Sequence, residues 1–295
     1  METNVDESVG RSRQNGSVLG RTLRVFGLAL VGVVGLGISL FFGDALPPLP
    51  GVSPGVAVVL SLVTPTILLL VASAVGAFCA PRVGLRSRVA ARAPTARAAD
   101  ANATEVGTSE NAGTSEGVRA SGETTATRGF AAEARHAIPW GLLAGGLLVG
   151  LDLAFAAVTD LSVTAEAPTV GAVVASLPMR FLYGGIAEEV LLRWGFMAAV
   201  AWVVARVAGQ GRSPSRGVMW ASIAVSAVVF GVGHLPALAQ TVGLTPLLVA
   251  RTVLLNTVGG VIFGWLFWRD SLEAAMVGHA SAHVPLALFA LFAAL

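Results

Sequence analysis

Seven apolar stretches dominate the chain, near residues 25–43, 55–80, 138–158, 169–207, 218–236, 246–268 and 272–295. A helix needs ~20 apolar residues to cross hydrocarbon, and these runs approach or exceed that length. Lipid offers no partners for backbone N–H and C=O groups, so such runs must be helices or strands of a closed barrel. The alternating pattern of barrel strands is absent. Composition agrees: only 12% of the residues are charged, against about 25% in a soluble domain. The expected fold is all-α, a polytopic transmembrane helical bundle of seven to eight spans, multi-pass in the cell membrane.

The uncertainty in the count sits in 169–207, which at 39 residues is too long for one ordinary span and short for two. Pro178 is expected to break it. A single crossing makes the loop with Arg206, Arg212 and Arg216 cytoplasmic and gives seven spans. Two crossings give eight and put those arginines outside, against the positive-inside rule.

The basic residues organise the rest. All nineteen are arginine. Residues 1–24 form a polar arm with Arg11, Arg13, Arg21 and Arg24, read as cytoplasmic and not as a cleaved signal. Residues 25–80 form a transmembrane hairpin with a Pro/Gly-rich exterior turn at 43–55. Residues 81–137 begin with Arg82, Arg86, Arg88, Arg92 and Arg97 and continue in Ala, Thr, Ser, Gly and Glu. That composition cannot bury enough surface to offset chain entropy, so 81–137 reads as a disordered cytoplasmic linker. Residues 138–295 form the core, with an acidic exterior loop near 159–168. The expected partner is membrane lipid. A net charge of +2, widely scattered, points away from nucleic acid. The lone Cys79 allows no intrachain disulfide.

An ionisable side chain near the bilayer centre costs ~2.5–3.5 kcal/mol on insertion scales, which makes each one informative. The spans hold Asp152, Arg180, Glu188, Glu189, Arg193, His234, Arg251, His279 and His283, with Asn256 a weaker case. Glu189 and Arg193 are i and i+4 with the glutamate first, the favourable order for an ion pair. Glu188 points elsewhere and is left without that partner, which suits a general base. His234, in "FGVGH", falls near the end of its span; alone, such a histidine is ordinarily an interfacial residue. His279 and His283 are again i and i+4, able to share a metal or face one cavity. Glu188 and His234, each near the end of its own span, are expected at one depth. A carboxylate with three imidazoles is a set suited to activating water.

In this order the motifs resemble the CAAX-protease and bacteriocin-processing family of intramembrane proteases. Its EExxxR, FxxxH and HxxxN motifs correspond here to "EEVLLR" at 188–193, "FGVGH" at 230–234 and "HASAH" at 279–283. "FGWLFWRDSLEAAMVGHA" is similar to the family's approach to its last motif. The resemblance spans about 170–290. It implies an intramembrane endopeptidase, acting on a membrane-associated peptide or protein, in some members prenylated. It implies that Glu188 and His234 activate water, that His279 and His283 stabilise an oxyanion or bind metal, and that Glu189 and Arg193 hold the helix. A metal site would draw on Glu188, His234, His279 and His283, with a divalent ion such as zinc; a metal-free glutamate mechanism stands beside it. His283 departs from the family asparagine: it can titrate or ligate where asparagine only donates. Arg180, two turns before Glu188, is placed either to steady a substrate carboxylate or to pair with Asp152. Two other functions fit buried Glu, His and Arg: an ion- or proton-coupled transporter, and an inactive scaffold or immunity protein of the same fold. No inverted repeat supports the transporter.

Overall fold

The computed structural model describes residues 17–43, 51–91, 129–159, 168–241 and 243–295. Of the expected exterior turn, exterior loop, N-terminal arm and linker, residues 44–50, 160–167, 1–16 and 92–128 lie outside them. The described chain is helical, without a strand. The helices are α1 (Val18–Phe42), α2 (Pro54–Cys79, continued by a 3₁₀ turn, Ala80–Val83), α3 (Phe130–Val158) and α4 (Val170–Val207). They continue with α5 (Arg216–Gly233), a short α6 (Leu235–Thr241), α7 (Pro246–Arg269) and α8 (Leu272–Ala293). Seven helices among the described residues are long and apolar enough to cross a membrane, α5 and α6 counting as one.

Two helices start earlier than their apolar runs, because their charges find partners. In α1, Arg21 donates to the Ala77 carbonyl, 3.1 Å away, and Arg24 to the carbonyls of Val89 and Ala90 at 3.0 and 2.6 Å. In α3, which begins at Phe130 and not 138, Glu133 receives a two-pronged bond from Arg88 at 2.9 and 2.7 Å. The segment read as a linker, 81–137, is therefore ordered at both flanks. Val83, Leu85 and Ala90 are buried on one side of it and Ala137 on the other.

The stretch 169–207 is not broken. Pro178 keeps right-handed helical angles (φ −58°, ψ −41°), and α4 runs on through it. Proline removes one N–H and crowds the preceding turn. After it the helix is wound as π turns at Met179–Glu188 and again at Val190–Met197, and the Met179 N–H bonds to Ser39 Oγ of α1 at 2.9 Å. A helix that does not reverse can cross only once, which gives seven candidate spans among the described residues. The arginine-rich ends agree. The loop after α2 touches the start of α3, the end of α7 and the start of α8, through Arg88 to Glu133, Arg86 to the Asp270 carbonyl, and Leu272 N–H to the Arg86 carbonyl at 3.1 Å. One end of the bundle thus gathers these arginines, as the four crossings from the start of α3 to the end of α7 require.

Helix α4 is the hub, packed on α1, α2, α5 and α8. Lipid is as apolar as leucine, so helices in it associate through close packing of small residues. A Cβ placed on Gly195 of α4 would lie 2.7 Å from the Ala72 Cβ of α2. Trp194, fully buried beside it, donates to the Ser73 carbonyl at 3.2 Å. Leucines and valines on the outer faces of α1, α2 and α3 remain exposed, the surface that hydrocarbon would cover.

Candidate active site

The ionisable residues found in the spans sort into three groups. Asp152 of α3 pairs with Arg251 of α7, Arg251 Nε donating to Oδ1 at 2.6 Å. Asp152 is thereby unavailable to Arg180, whose Nε instead bonds Ser176 Oγ one turn away at 2.9 Å. Among the described residues no carboxylate pairs with Arg180. Asn256 donates to the Thr252 carbonyl of its own helix at 2.9 Å. The remaining six residues, Glu188, Glu189, Arg193, His234, His279 and His283, come together between α4, α5 and α8.

Glu189 and Arg193 are both fully buried, with Nε and Oε2 3.3 Å apart. This is an ion pair by distance, and neither of those atoms makes a hydrogen bond. Arg193 also lies over the Phe230 ring, 4.7 Å from its centroid, and points Nη2 at the Gly260 carbonyl, 3.4 Å away. The other oxygen of Glu189 is 2.8 Å from His279 Nδ1. The glutamate expected only to hold its own helix therefore also fixes an imidazole on α8.

That bond sets the tautomer. A carboxylate only accepts, so His279 Nδ1 carries the proton and Nε2 is left as an acceptor. His234 repeats the pattern: its Nδ1 is 2.8 Å from the Phe230 carbonyl, so its Nε2 is also free to accept. Both Nε2 atoms face Glu188, at 4.0 Å from His234 to Oε1 and 3.9 Å from His279 to Oε2. The two adjacent glutamates thus bracket His279, one at each ring nitrogen. Glu188 is not near a helix end as expected. It lies at the middle of the continuous α4, and His234 caps the C-terminus of α5.

Glu188 and the two imidazole acceptors that each stand about 4 Å from it need a donor or a cation between them. The donor set suits zinc, since imidazoles whose second nitrogen bonds an oxygen are the usual pattern of metal-bound histidine. The spacing does not: among the described residues no three of His, Cys, Asp and Glu are arranged to hold a metal ion.

His283 lies one turn along α8, its ring stacked on His279 with centroids 5.1 Å apart. His279 in turn stacks on Phe263 at 4.4 Å. Both nitrogens of His283 are buried and neither has a partner. A Cβ on Gly184 would stand 2.7 Å from His283 Nε2, so only glycine at 184 lets this imidazole lie against α4. Gly184 was not among the expected site residues; "YGGIAEE" carries its signal, two glycines one turn before the carboxylates.

Residues 170–284, from the start of α4 into α8, match the family described as Rce1-like, type II CAAX prenyl endopeptidase Rce1-like. No curated protein and no solved structure matches the chain. The matched segment contains all six clustered residues, and the family is one of membrane endopeptidases.

Proposed function

We propose that this protein is an intramembrane endopeptidase that cleaves a peptide bond with water activated by Glu188 and His234. The observation that carries the reading is the set of three facing acceptors: Glu188 with two imidazole Nε2 atoms at 4.0 and 3.9 Å. One water can donate to Glu188 and to an imidazole at once. Glu188 then takes a proton as the water oxygen attacks the substrate carbonyl carbon. The resulting oxyanion needs a donor, and a neutral His283 has one N–H with no partner in the structure. Glu188 returns its proton to the amine as the C–N bond breaks. Every atom is accounted for, and Glu188 ends as it began.

Glu189 serves this chemistry indirectly. It holds His279 in the tautomer whose Nε2 accepts, and Arg193 neutralises it. Arg180, without a carboxylate partner among the described residues, is placed to receive a carboxylate of the substrate. The family name points to peptides with a prenylated cysteine near the C-terminus.

The test is cleavage by purified protein of prenylated and unmodified peptides of one sequence, with and without a strong chelator, beside Glu188→Gln. Cleavage that survives chelator and disappears in Glu188→Gln supports the reading. Cleavage abolished by chelator and restored by added zinc replaces it with a metal mechanism on the same residues. No cleavage of any peptide favours the inactive scaffold.

A further inference from the structure

A second polar site lies away from the glutamates, where the ends of α2 and α4 meet. A cleft of about 240 Å³ is lined there by Arg82, Val83, Trp202, Arg206, Gln210 and Arg212, among others. Three arginines line it, from the 3₁₀ turn after α2, the last turn of α4 and the loop beyond. No carboxylate lines it. Arg82 is partly engaged, lying over the Phe78 ring and donating to the Phe78 carbonyl. Arg206 and Arg212 have no ion-pair partner among the described residues.

The arrangement is built. Gly209, at φ +66°, adopts the left-handed conformation that ends α4 and folds the chain back, as glycine at that helix position does. Gln210 then clasps the loop: its Oε1 accepts from the Ser215 N–H at 2.7 Å, and its own N–H reaches the Ala205 carbonyl at 2.8 Å. The result brings Arg212 against Gly84, where a Cβ would lie 3.1 Å from the Arg212 carbonyl. Bringing like charges together costs free energy unless an anion joins them, and guanidinium forks match phosphate oxygens.

The surroundings identify the anion. The last turns of α4 expose Val203, Val204 and Val207, the last at 86%. Trp202 packs edge-on against Phe78, with centroids 5.4 Å apart, and tryptophan is enriched at membrane–water interfaces. The cleft is therefore a basic pocket bordered by lipid-facing aliphatic surface at the arginine-rich end of the bundle. Basic pockets between membrane helices on the cytoplasmic side hold anionic headgroups. We infer that this cleft binds the phosphodiester headgroup of an anionic membrane lipid, its acyl chains lying along the exposed valines of α4.

The experiment uses the full chain in neutral detergent, titrated with phosphatidylglycerol, phosphatidylcholine or inorganic phosphate, and read by native mass spectrometry and thermal unfolding. Phosphatidylglycerol is expected to stay bound and to raise the melting temperature, and phosphatidylcholine to do neither. Arg206→Gln/Arg212→Gln should weaken phosphatidylglycerol binding at least tenfold while melting as wild type does in phosphatidylcholine. Arg135→Gln, an exposed arginine elsewhere, should bind as wild type. If the double variant folds poorly, Arg212→Gln alone, in the loop, carries the same comparison. Equal binding by wild type and variant, equal binding of the two lipids, or an equal shift from inorganic phosphate would each overturn the inference.

Discussion

Two charged clusters in this molecule are both built around glutamate and arginine, and they differ in how fully their polar atoms are bonded. At the arginine-rich end, Glu133 accepts from Arg88 through both oxygens and from Ser271 Oγ at 2.6 Å. Beside it, Glu273 accepts from Ser87 Oγ at 2.6 Å and from the N–H groups of Arg88 and Val89, each at 3.0 Å. The bond to Glu133 also raises the Arg88 pKa above its ordinary value. In the other cluster, Glu189 Oε2, Arg193 Nε and Nη1, and both nitrogens of His283 are buried without a hydrogen bond. Elsewhere among the described residues, only Ser73 Oγ shares that condition. Buried polar groups left unpaired are costly, and native structures keep few of them. A closed network fastens helices together; the less saturated one is where the proposed chemistry would take place.

The largest expected effect comes from cutting each cluster at one carboxylate. Glu188→Gln removes the proposed base. Peptide cleavage should fall by about 10²–10⁴-fold, the usual contribution of general acid–base catalysis, with the melting temperature unchanged. Glu133→Gln should do the reverse, lowering stability by about 1.5–3 kcal/mol through lost charge-assisted bonds while the cleavage rate per folded molecule stays as in wild type. Parallel activity and unfolding measurements on both decide it. If Glu188→Gln also melts early, the open cluster is structural and the contrast fails.

Glu189→Gln sharpens the contrast, because this residue belongs to both categories. It strands the fully buried Arg193, and breaking a buried pair typically costs ~3–5 kcal/mol. It also frees His279 to flip its tautomer, so activity should drop even in the molecules that remain folded. Glu133→Gln should cost less, since the Arg88 side chain is 35% exposed and can turn to water. A Glu189→Gln protein with full activity per folded molecule would show that the bond to His279 does nothing for catalysis.

How much of this was legible in the chain follows from where the signal lies. Glu188, Glu189, Arg193, His234, His279 and His283 stand out because charge inside an apolar run is conspicuous. The i,i+4 spacing gave the Glu189–Arg193 pair. The bond from Glu189 to His279 was not legible, since it joins residues 90 positions apart on helices whose rotation only packing fixes. Glu133 and His136 were passed over because the apolar run of α3 begins at 138, whereas the helix begins at Phe130. Arg88, supplied from the distant loop, makes that charged first turn affordable. Pro178 misled for a related reason: proline breaks an isolated helix, but Ser39 takes up the Met179 N–H and α4 widens instead.

The smallest expected effect is at His283, and it tests whether the open cluster is open for a donor or for a metal. As a donor, His283 offers one N–H to the oxyanion, and asparagine offers the same bond at every pH. His283→Asn should then keep activity within a few-fold of wild type, because a neutral donor replaces a neutral donor. As a metal ligand, His283 must be neutral, and its removal would cost the ion. Activity would then collapse in His283→Asn, and the metal content of the purified protein would fall with it. Cleavage rates together with metal analysis of both proteins separate the two. Retained activity keeps the cluster as a water and substrate site; loss of activity together with bound metal makes it a metal centre.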